Sequence, residues 1–399
     1  MNELRPLHRL LLAAAVACIL AATLTPAGTE FEPEFTGCLV CGAHGVSDVL
    51  VNLILFAPLG VALALNGRTG ARAVLLGGML SCCVELAQIA LPGRDPSLGD
   101  VTFNTLGTAA GQVAFWLAGR WLLPDSRTAA RLALLAAVAA LAVFAATARM
   151  LEPWLPARAF SAWYAADLPN LDWYHGRVLR TTLGPIAFGP DRMPDRDAVR
   201  RLLLEGAPLR IDAVAARRVR SLAPLFVIVD DDDQEIFLVG PDRDDLVLRY
   251  RFRAARWRLD QPDLRLRHAF APVAVGDTLH ITVRREGNGY CLSLNSAARC
   301  GIGYTIGSGW ALLYYPRHLS LWMVLLLEAG WVAGLVFPVG LWARRNAATA
   351  VAIVLPLAAL VVLPPLTGLV RTPLHQLVGA ALGLLSGAGL QAWLRRRAA

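Results

Sequence analysis

Charge is scarce in these 399 residues: only 17% are charged, and no lysine occurs, so all 38 basic side chains are arginine. With 56% hydrophobic residues and a mean hydropathy of +0.50, that scarcity excludes an ordinary soluble protein, in which about a quarter of residues are charged. Against 30 acids the arginines leave a net charge of +8, but nothing in their distribution calls for a nucleic-acid partner. Positions 149–318 hold 24 arginines and 20 acids, almost balanced, and the other 14 arginines sit mostly in short loops between apolar runs. A further absence concerns chemistry. A sandwich hydrolase of the glucanase type carries two facing carboxylates, typically at alternating positions of one strand, and no Glu-x-Asp-x-x-Glu run occurs.

What is present is apolar length. A segment of about 20 apolar residues spans the roughly 30 Å hydrocarbon core of a bilayer, and eight such runs occur: 7–25, 47–66, 73–91, 101–123, 132–148, 319–342, 347–369 and 373–394. The expectation is an α-helical polytopic membrane protein of about eight transmembrane helices with an inserted all-β domain. Its parts are a membrane domain at 1–148 with five helices, an extracytoplasmic domain at 149–318, and a membrane domain at 319–399 with three. With a cytoplasmic N-terminus, Arg5, Arg9, Arg68, Arg72, Arg120, Arg127, Arg131, Arg344, Arg345 and Arg395 to Arg397 fall inside, leaving Arg94 and Arg371 in short outside loops. Basic residues in short loops set orientation, so both termini are expected in the cytoplasm and the insert outside, periplasmic in a bacterium. The first run, behind Arg5 and Arg9, also has the form of a signal peptide, whose cleavage would leave the remaining topology unchanged.

The insert changes character. Runs at 225–229, 235–239, 246–250, 278–283 and 290–294 are short, rich in β-branched and aromatic residues, and bounded by Gly, Pro and Asp, which reads as a β-sandwich. Its 168 residues from 150 to 317 suffice for a core of their own. Trp163, Tyr164, Trp173 and Tyr174 read first as core aromatics, with Trp163 and Trp173 kept as candidate ligand-binding residues. Asp230 to Asp233, between two strand signals, reads as a hairpin turn or a calcium site. From Arg249 to Arg267 arginines alternate with apolar residues, as a basic face toward anionic glycans or headgroups or as the solvated side of two strands. Two disulfides are expected outside the membrane, Cys38–Cys41 and Cys291–Cys300. Zinc at Cys38 and Cys41 would need two more ligands, and only His44 offers itself; no metal or cofactor is expected.

Polar residues recur where lipid should be. The second run begins Ser47-Asp48-Val-Leu-Val-Asn52, the third carries Glu85-Leu-Ala-Gln88, and after a loop containing Arg94 the fourth begins near Asp100 and Asn104. Spacings of three or four place each pair on one helix face, and the topology puts all seven at one membrane depth. A carboxylate in a bilayer faces a partner or a water-filled cavity, which makes Glu85 with Arg94 a candidate pair and Glu85, Arg94 and Asp100 candidate catalytic residues. Asp48, Asn52, Gln88 and Asn104 are candidate binding residues. The plainer alternative has Asp100 and Asn104 capping the fourth helix, Asp48 capping the second, and Arg94 anchoring a turn. Gly107 and Gly111 form a small-xxx-small packing face. A shift of 272 places Gly107 on Gly379, Gly111 on Gly383 and Trp121 on Trp393, and Phe56-Ala-Pro-Leu-Gly60 echoes Phe337-Pro-Val-Gly340, the pattern of a parallel duplication. Its second copy has no match for Glu85 or Asp100, and Glu328 stands as a separate buried acid expected to face the first copy's site.

The run Asn52-Leu-Ile-Leu-Phe56-Ala-Pro58-Leu-Gly60, then Glu85-Leu-Ala-Gln88, Pro92-Gly93-Arg94 and Ser97-Leu-Gly-Asp100-Val-Thr-Phe-Asn104-Thr-Leu-Gly107, resembles the VanZ-like membrane protein family over about residues 45–120. The insert, with Cys291 and Cys300, resembles a concanavalin A-like lectin/glucanase (LamG-type) jelly-roll sandwich. These resemblances imply a bacterial envelope protein of a family named after a member linked to glycopeptide resistance, without catalytic residues to carry over. The expected role is binding or accessory, toward membrane lipids and an envelope glycan or lipid-linked saccharide. An enzyme using Glu85 or Asp100 as general base on a headgroup or glycan and a small transporter are the alternatives.

Overall fold

The computed structural model describes residues 5–25, 37–40, 42–156, 160–168, 171–189, 195–232 and 234–398. The chain runs α1 (Arg5–Thr23), α2 (Gly45–Leu65), α3 (Ala71–Gln88), α4 (Leu98–Trp116), the short α5 (Ala118–Trp121) and α6 (Ser126–Met150). The insert follows with β1 (Phe160–Tyr164), β2 (Arg177–Leu183), β3 (Ile186–Phe188), α7 (Arg196–Glu205), β4 (Leu209–Val214), β5 (Phe226–Asp230), β6 (Glu235–Asp242), β7 (Asp245–Tyr250), β8 (Leu264–Leu266), β9 (Thr278–Glu286), β10 (Gly289–Leu294) and β11 (Ala297–Ile302). It closes with α8 (Leu321–Leu341), α9 (Ala347–Leu366) and α10 (Leu374–Ala398). Among the described residues seven helices are long and apolar enough to cross a membrane, one fewer than expected. The exception is α4, which has the length but is diluted by Asp100, Asn104, Thr108 and Gln112; it packs against α2 and α3, where Asp100, Asn104 and Gln112 find partners, while Thr108 donates to the Asn104 carbonyl of its own helix.

Glycine sets how closely these helices approach. A Cβ added to Gly111 would stand 2.1 Å from the Ala57 carbonyl oxygen, one on Gly60 2.1 Å from that of Thr108, and one on Gly107 2.7 Å from that of Leu53. Backbone therefore touches backbone along the α2–α4 seam, the packing that small residues at four-residue spacing allow. The last helices repeat it. Cβ atoms on Gly379, Gly383 and Gly387 of α10 would each stand 2.3 Å from the carbonyls of Ala329, Ala333 and Phe337 in α8. The α10 positions follow the shift of 272, whereas Leu53 and Ala57 are replaced by Ala329 and Ala333, a shift of 276. The Phe56/Phe337 echo is thus out of register by about one turn.

One expected boundary moves. The fifth long helix, α6, packs on α8 and α9 rather than on the first four helices. Its Phe144 and Ala148 share a buried cluster with Val332, Val336, Ala359, Leu360 and Ala380. The membrane part consequently falls into two four-helix groups, α1–α4 and α6 with α8–α10. The insert occupies the connection between the first two helices of the second group.

That insert is a sandwich of two antiparallel sheets, ordered β1-β5-β6-β7-β8 and β11-β10-β9-β4-β2-β3. Alternate residues Leu279, Ile281 and Val283 of β9 point inward, with Phe226, Ile228 and Val239 of the other sheet in the same core. The opposite face of the five-stranded sheet is covered too: Val227, Val229 and Leu238 lie under Ala166, Leu168 and Leu171. The insert also holds one helix, α7, capped by Asp195, whose carboxylate accepts from the amides of Asp197 and Ala198, and ended by Gly206 at φ +75°. Asp230, at the start of the acidic run, accepts the amides of Asp232 and Gln234 and closes the β5–β6 hairpin, so the turn reading holds for that residue; Asp233 lies outside the described residues.

Arg256 and Arg258 of the arginine-rich stretch are exposed, but its strand arginines, Arg249 and Arg265, form neither of the expected faces. Arg249 is nearly buried and donates to Glu235 and Asp263, each at 2.8 Å, while Arg265 reaches Asp242 at 2.7 Å and Asp263 at 3.2 Å. Burial penalises the Asp263 charge, but the two guanidinium groups outweigh it and hold the carboxyl below the usual range. Alternation here marks a sheet covered on both faces, whose inward arginines need acids.

Candidate functional site

The sandwich-side ends of α2, α3 and α4 carry the predicted residues. Ser97 caps α4, its hydroxyl accepting the Asp100 amide at 3.0 Å, and its own amide donates to Glu85 at 2.9 Å. Asp100 is thereby placed one turn into α4, where its carboxylate accepts from the Asn52 amide at 2.7 Å. Asn104, one turn deeper, donates to the Ser81 hydroxyl at 2.9 Å. Three helices are thus tied by Asn52–Asp100, Glu85–Ser97 and Asn104–Ser81. None of Asp48, Asp100 and Asn104 serves as a helix cap, so the plainer alternative fails for these three. Asp48 is exposed, and its carboxylate has no hydrogen bond or ion pair among the described residues. It stands within electrostatic range of Asp100, as does Glu85. The negative charges of Asp48 and Asp100 also lie at the positive ends of the α2 and α4 dipoles.

Two predicted residues do something else. No Glu85–Arg94 ion pair forms: Arg94 donates to the carbonyls of Thr25 at 3.0 Å and Ala22 at 3.1 Å, and Gln88 donates to that of Thr23 at 3.0 Å. Both residues hold the end of α1, whose last carbonyls lack partners within the helix and attract a cation. At the other end of α1, Asn66 donates to the His8 carbonyl. Sequence spacing could not show this, because backbone acceptors carry no side-chain signature. Ser97 and Ser81, missed as partners, were findable in principle: Ser97-x-x-Asp100 has the spacing of a capping box.

The α1–α2 connection also meets the sandwich. The Ser47 hydroxyl and amide and the Val46 amide donate to the Arg258 carbonyl, Arg258 donates back to the Val40 carbonyl, and the His44 ring lies 3.8 Å from Asp260. Between them opens a polar cavity of about 740 Å³, lined by His44, Gln234, Glu235, Arg251, Asp260 and Gln261 among others. It lies one helical turn from Asp48. Neither Trp163 nor Trp173 lines it, and both are too exposed, at 44% and 52%, for the packing role first read for them; Tyr174 alone of that group is fully buried. Tyr174 donates to the Val214 carbonyl, and burial pushes its hydroxyl up to about 12.

Cys291 and Cys300 form the expected disulfide between β10 and β11. Cys38 is disulfide-bonded, and Cys41 lies outside the described residues. Glu328 does not face the first site. Its carboxylate accepts from Ser308 at 3.0 Å and Gln376 at 2.9 Å and pairs with His375 at 2.8 Å. By the helix register above, Glu328 stands where Asn52 does and Gln376 where Asn104 does. The second helix group therefore has a polar cluster of its own at the same end, built from different residues.

Residues 12–119 match the VanZ/LLP1 family model. That range takes in nearly all of the α1–α4 group and stops before α6, so the matched module and the first helix group coincide. With its membrane-spanning helices the chain is a multi-pass membrane protein with a region similar to the VanZ/LLP1 family and an inserted sandwich. No curated protein and no solved structure matches the chain.

Proposed function

We propose that this chain is a bacterial cell-envelope protein with a binding role: it holds an envelope glycan or lipid-linked saccharide outside the membrane. The observation that carries this reading is the polar cavity between the α1–α2 connection and the sandwich. A concave site of this size with convergent donors and acceptors is the usual form of a small-ligand site, and the Asp48–Asn52–Asp100–Glu85 cluster beneath it meets the membrane surface. A lipid-linked saccharide has both parts, a sugar for the cavity and a headgroup for the cluster. The lectin resemblance of the insert agrees in direction, although fold alone does not assign a ligand.

The test is calorimetry of the full chain in nanodiscs against a panel of soluble envelope-glycan fragments. Saturable binding weakened at least ten-fold by His44→Ala or Gln234→Ala is expected, and no binding across the panel would sink the proposal. Loss of binding in Trp163→Ala or Trp173→Ala instead would move the glycan site to the exposed outer face. In cells, Glu85→Gln and Asp100→Asn should insert normally yet lose the deletion-complementing phenotype; wild-type behaviour from both would remove the cluster from the function.

A second reading is favoured by one feature, the Asp48 carboxylate, which has no hydrogen bond or ion pair among the described residues and lies within electrostatic range of Asp100, an arrangement suited to a general base at the membrane surface. An enzyme of that kind leaves a modified lipid or glycan in wild-type cells that a deletion strain lacks. Identical extracts would rule against it.

A further inference from the structure

A second cavity, of about 950 Å³, opens between the sandwich and the start of α8 and α10. Its floor on the membrane side is Leu321, Val324 and Leu325 of α8, with the Glu328–His375 pair further in; its sandwich side includes Arg299, Tyr304 and Trp310. Leu321 and Leu325 are 45% and 38% exposed on the first two turns of a membrane-spanning helix. The mouth therefore lies where acyl chains end and headgroups begin.

Charge around this cavity is unbalanced. Arg299 on β11 and Arg371 in the α9–α10 loop make no ion pair or hydrogen bond among the described residues, and Arg267 spends only one N–H, on the Leu319 carbonyl. The acids are already engaged. Asp263 is held by Arg249 and Arg265, Glu328 by His375, Gln376 and Ser308, and Glu286 faces Arg284 at 3.8 Å. The Trp310 indole N–H is buried without an acceptor among the described residues. Uncommitted guanidinium groups and an unsatisfied donor around one space call for an anion with several acceptor oxygens.

The backbone that carries Arg371 is also held in place. Asn288 at the β9–β10 turn donates to the carbonyls of Pro364, Thr367 and Leu369, at 3.2, 3.0 and 2.9 Å, and the Val370 amide donates to the Tyr304 carbonyl. Arg371 follows directly on this clamped loop, so little ordering remains for a ligand to bring about.

We propose that this cavity is a binding site for the phosphate-bearing headgroup of an anionic membrane lipid, gripped by Arg299 and Arg371, with its chains along Leu321 and Leu325. A phosphate alone is much smaller than the space, and the apolar floor suits a lipid better than a soluble anion.

The experiment is native mass spectrometry of the full chain in zwitterionic micelles, titrated with phosphatidylglycerol, with phosphatidylcholine of the same chains, and with inorganic phosphate. Phosphatidylglycerol should be retained at least ten-fold more tightly than phosphatidylcholine, and Arg299→Ala with Arg371→Ala should abolish that preference without lowering the melting temperature. His44→Ala, in the glycan cavity, should leave it intact, so failure of either site can be told from failure of the other. Equal retention of the two lipids, or an undiminished preference in the double variant, would overturn the proposal. Displacement of the lipid by inorganic phosphate at similar concentration would overturn its lipid part and leave a soluble-phosphate site.

Discussion

Single atoms decide how the two helix groups close. The α2–α4 seam leaves no space for a methyl group at Gly111, since the obstacle is the Ala57 carbonyl, which a helix cannot move aside. Gly111→Ala should cost about 1–3 kcal/mol, the range for overpacking a filled core. Gly334 on α8 has nothing within 4 Å of an added Cβ, so Gly334→Ala should be neutral or gain up to about 1 kcal/mol from the lower flexibility of alanine in a helix. Thermal melts of the two variants in one detergent check the contrast, and equal melting temperatures would refute it. In the sandwich the decisive residue is Asp263. Its carboxyl is held below its ordinary range despite burial, so its contribution is fully present above the unfolded value of about 3.9 and is lost as pH falls toward the folded value. Near-UV circular dichroism should therefore collapse below about pH 4. Asp263→Asn should remove most of that acid sensitivity while costing about 3–5 kcal/mol at neutral pH, because Arg249 and Arg265 stay buried with one fewer counter-charge.

Elements differ in how openly their sequence declares them. The long helices and strands β5, β6, β7, β9 and β10 follow from apolar length and from β-branched runs, since each buries its own side chains. Strands β1, β2, β3, β4, β8 and β11 escaped notice: β3 and β8 have only three residues, β11 is mostly alanine, arginine and glycine at a sheet edge, and β2 and β4 interrupt their apolar residues with Arg177, Arg180, Arg210 and Asp212, so each is made largely by its neighbour's backbone. That Asp48, Asn52, Glu85 and Asp100 stand toward the same end of α2, α3 and α4 was readable from spacing plus helix order. The work of Gln88 and Arg94 was not, because their acceptors are carbonyls at the end of α1. Nor was the docking of the sandwich on the last helices, which uses one asparagine in a hairpin turn facing three carbonyls far along the chain, with the Val370–Tyr304 and Gln376–Gly307 contacts beside it. That contact makes a sharp prediction. Asn288→Asp replaces a donor with a charge facing three acceptors, a reversal worth more than the loss of one neutral hydrogen bond. The α9–α10 loop should become cleavable near Thr367 to Arg371 by limited proteolysis, at least ten-fold faster than in the native chain, while Asn288→Ala should give a smaller increase. Equal cleavage rates in all three proteins would show that the loop is held by something else.

At the scale of the whole molecule, two four-helix groups stand side by side with polar clusters at the same ends, and the sandwich bridges those ends. It meets the first group through His44 and Ser47 and the second through Asn288, Tyr304 and the Gln376–Gly307 contact. The opposite ends carry nearly all the arginines of the short loops, and there the two groups touch again, the Trp342 indole donating to the Trp121 carbonyl. A polar domain, two acid-bearing clusters and the disulfide Cys291–Cys300 on one side, with twelve arginines on the other, match the asymmetry that a cytoplasmic membrane imposes, since basic short loops stay inside and disulfides form outside. We propose the orientation that this asymmetry favours, with the sandwich outside the cell membrane. To test it, Cys18, Cys82 and Cys83 are replaced by alanine, and a single cysteine is placed at exposed Arg217 in the sandwich or at exposed Arg345 between α8 and α9. A membrane-impermeant maleimide should label Arg217→Cys in intact spheroplasts, and Arg345→Cys only after the membrane is opened. The reverse pattern would invert the protein, moving both cavities to the cytoplasm and removing envelope glycans from reach.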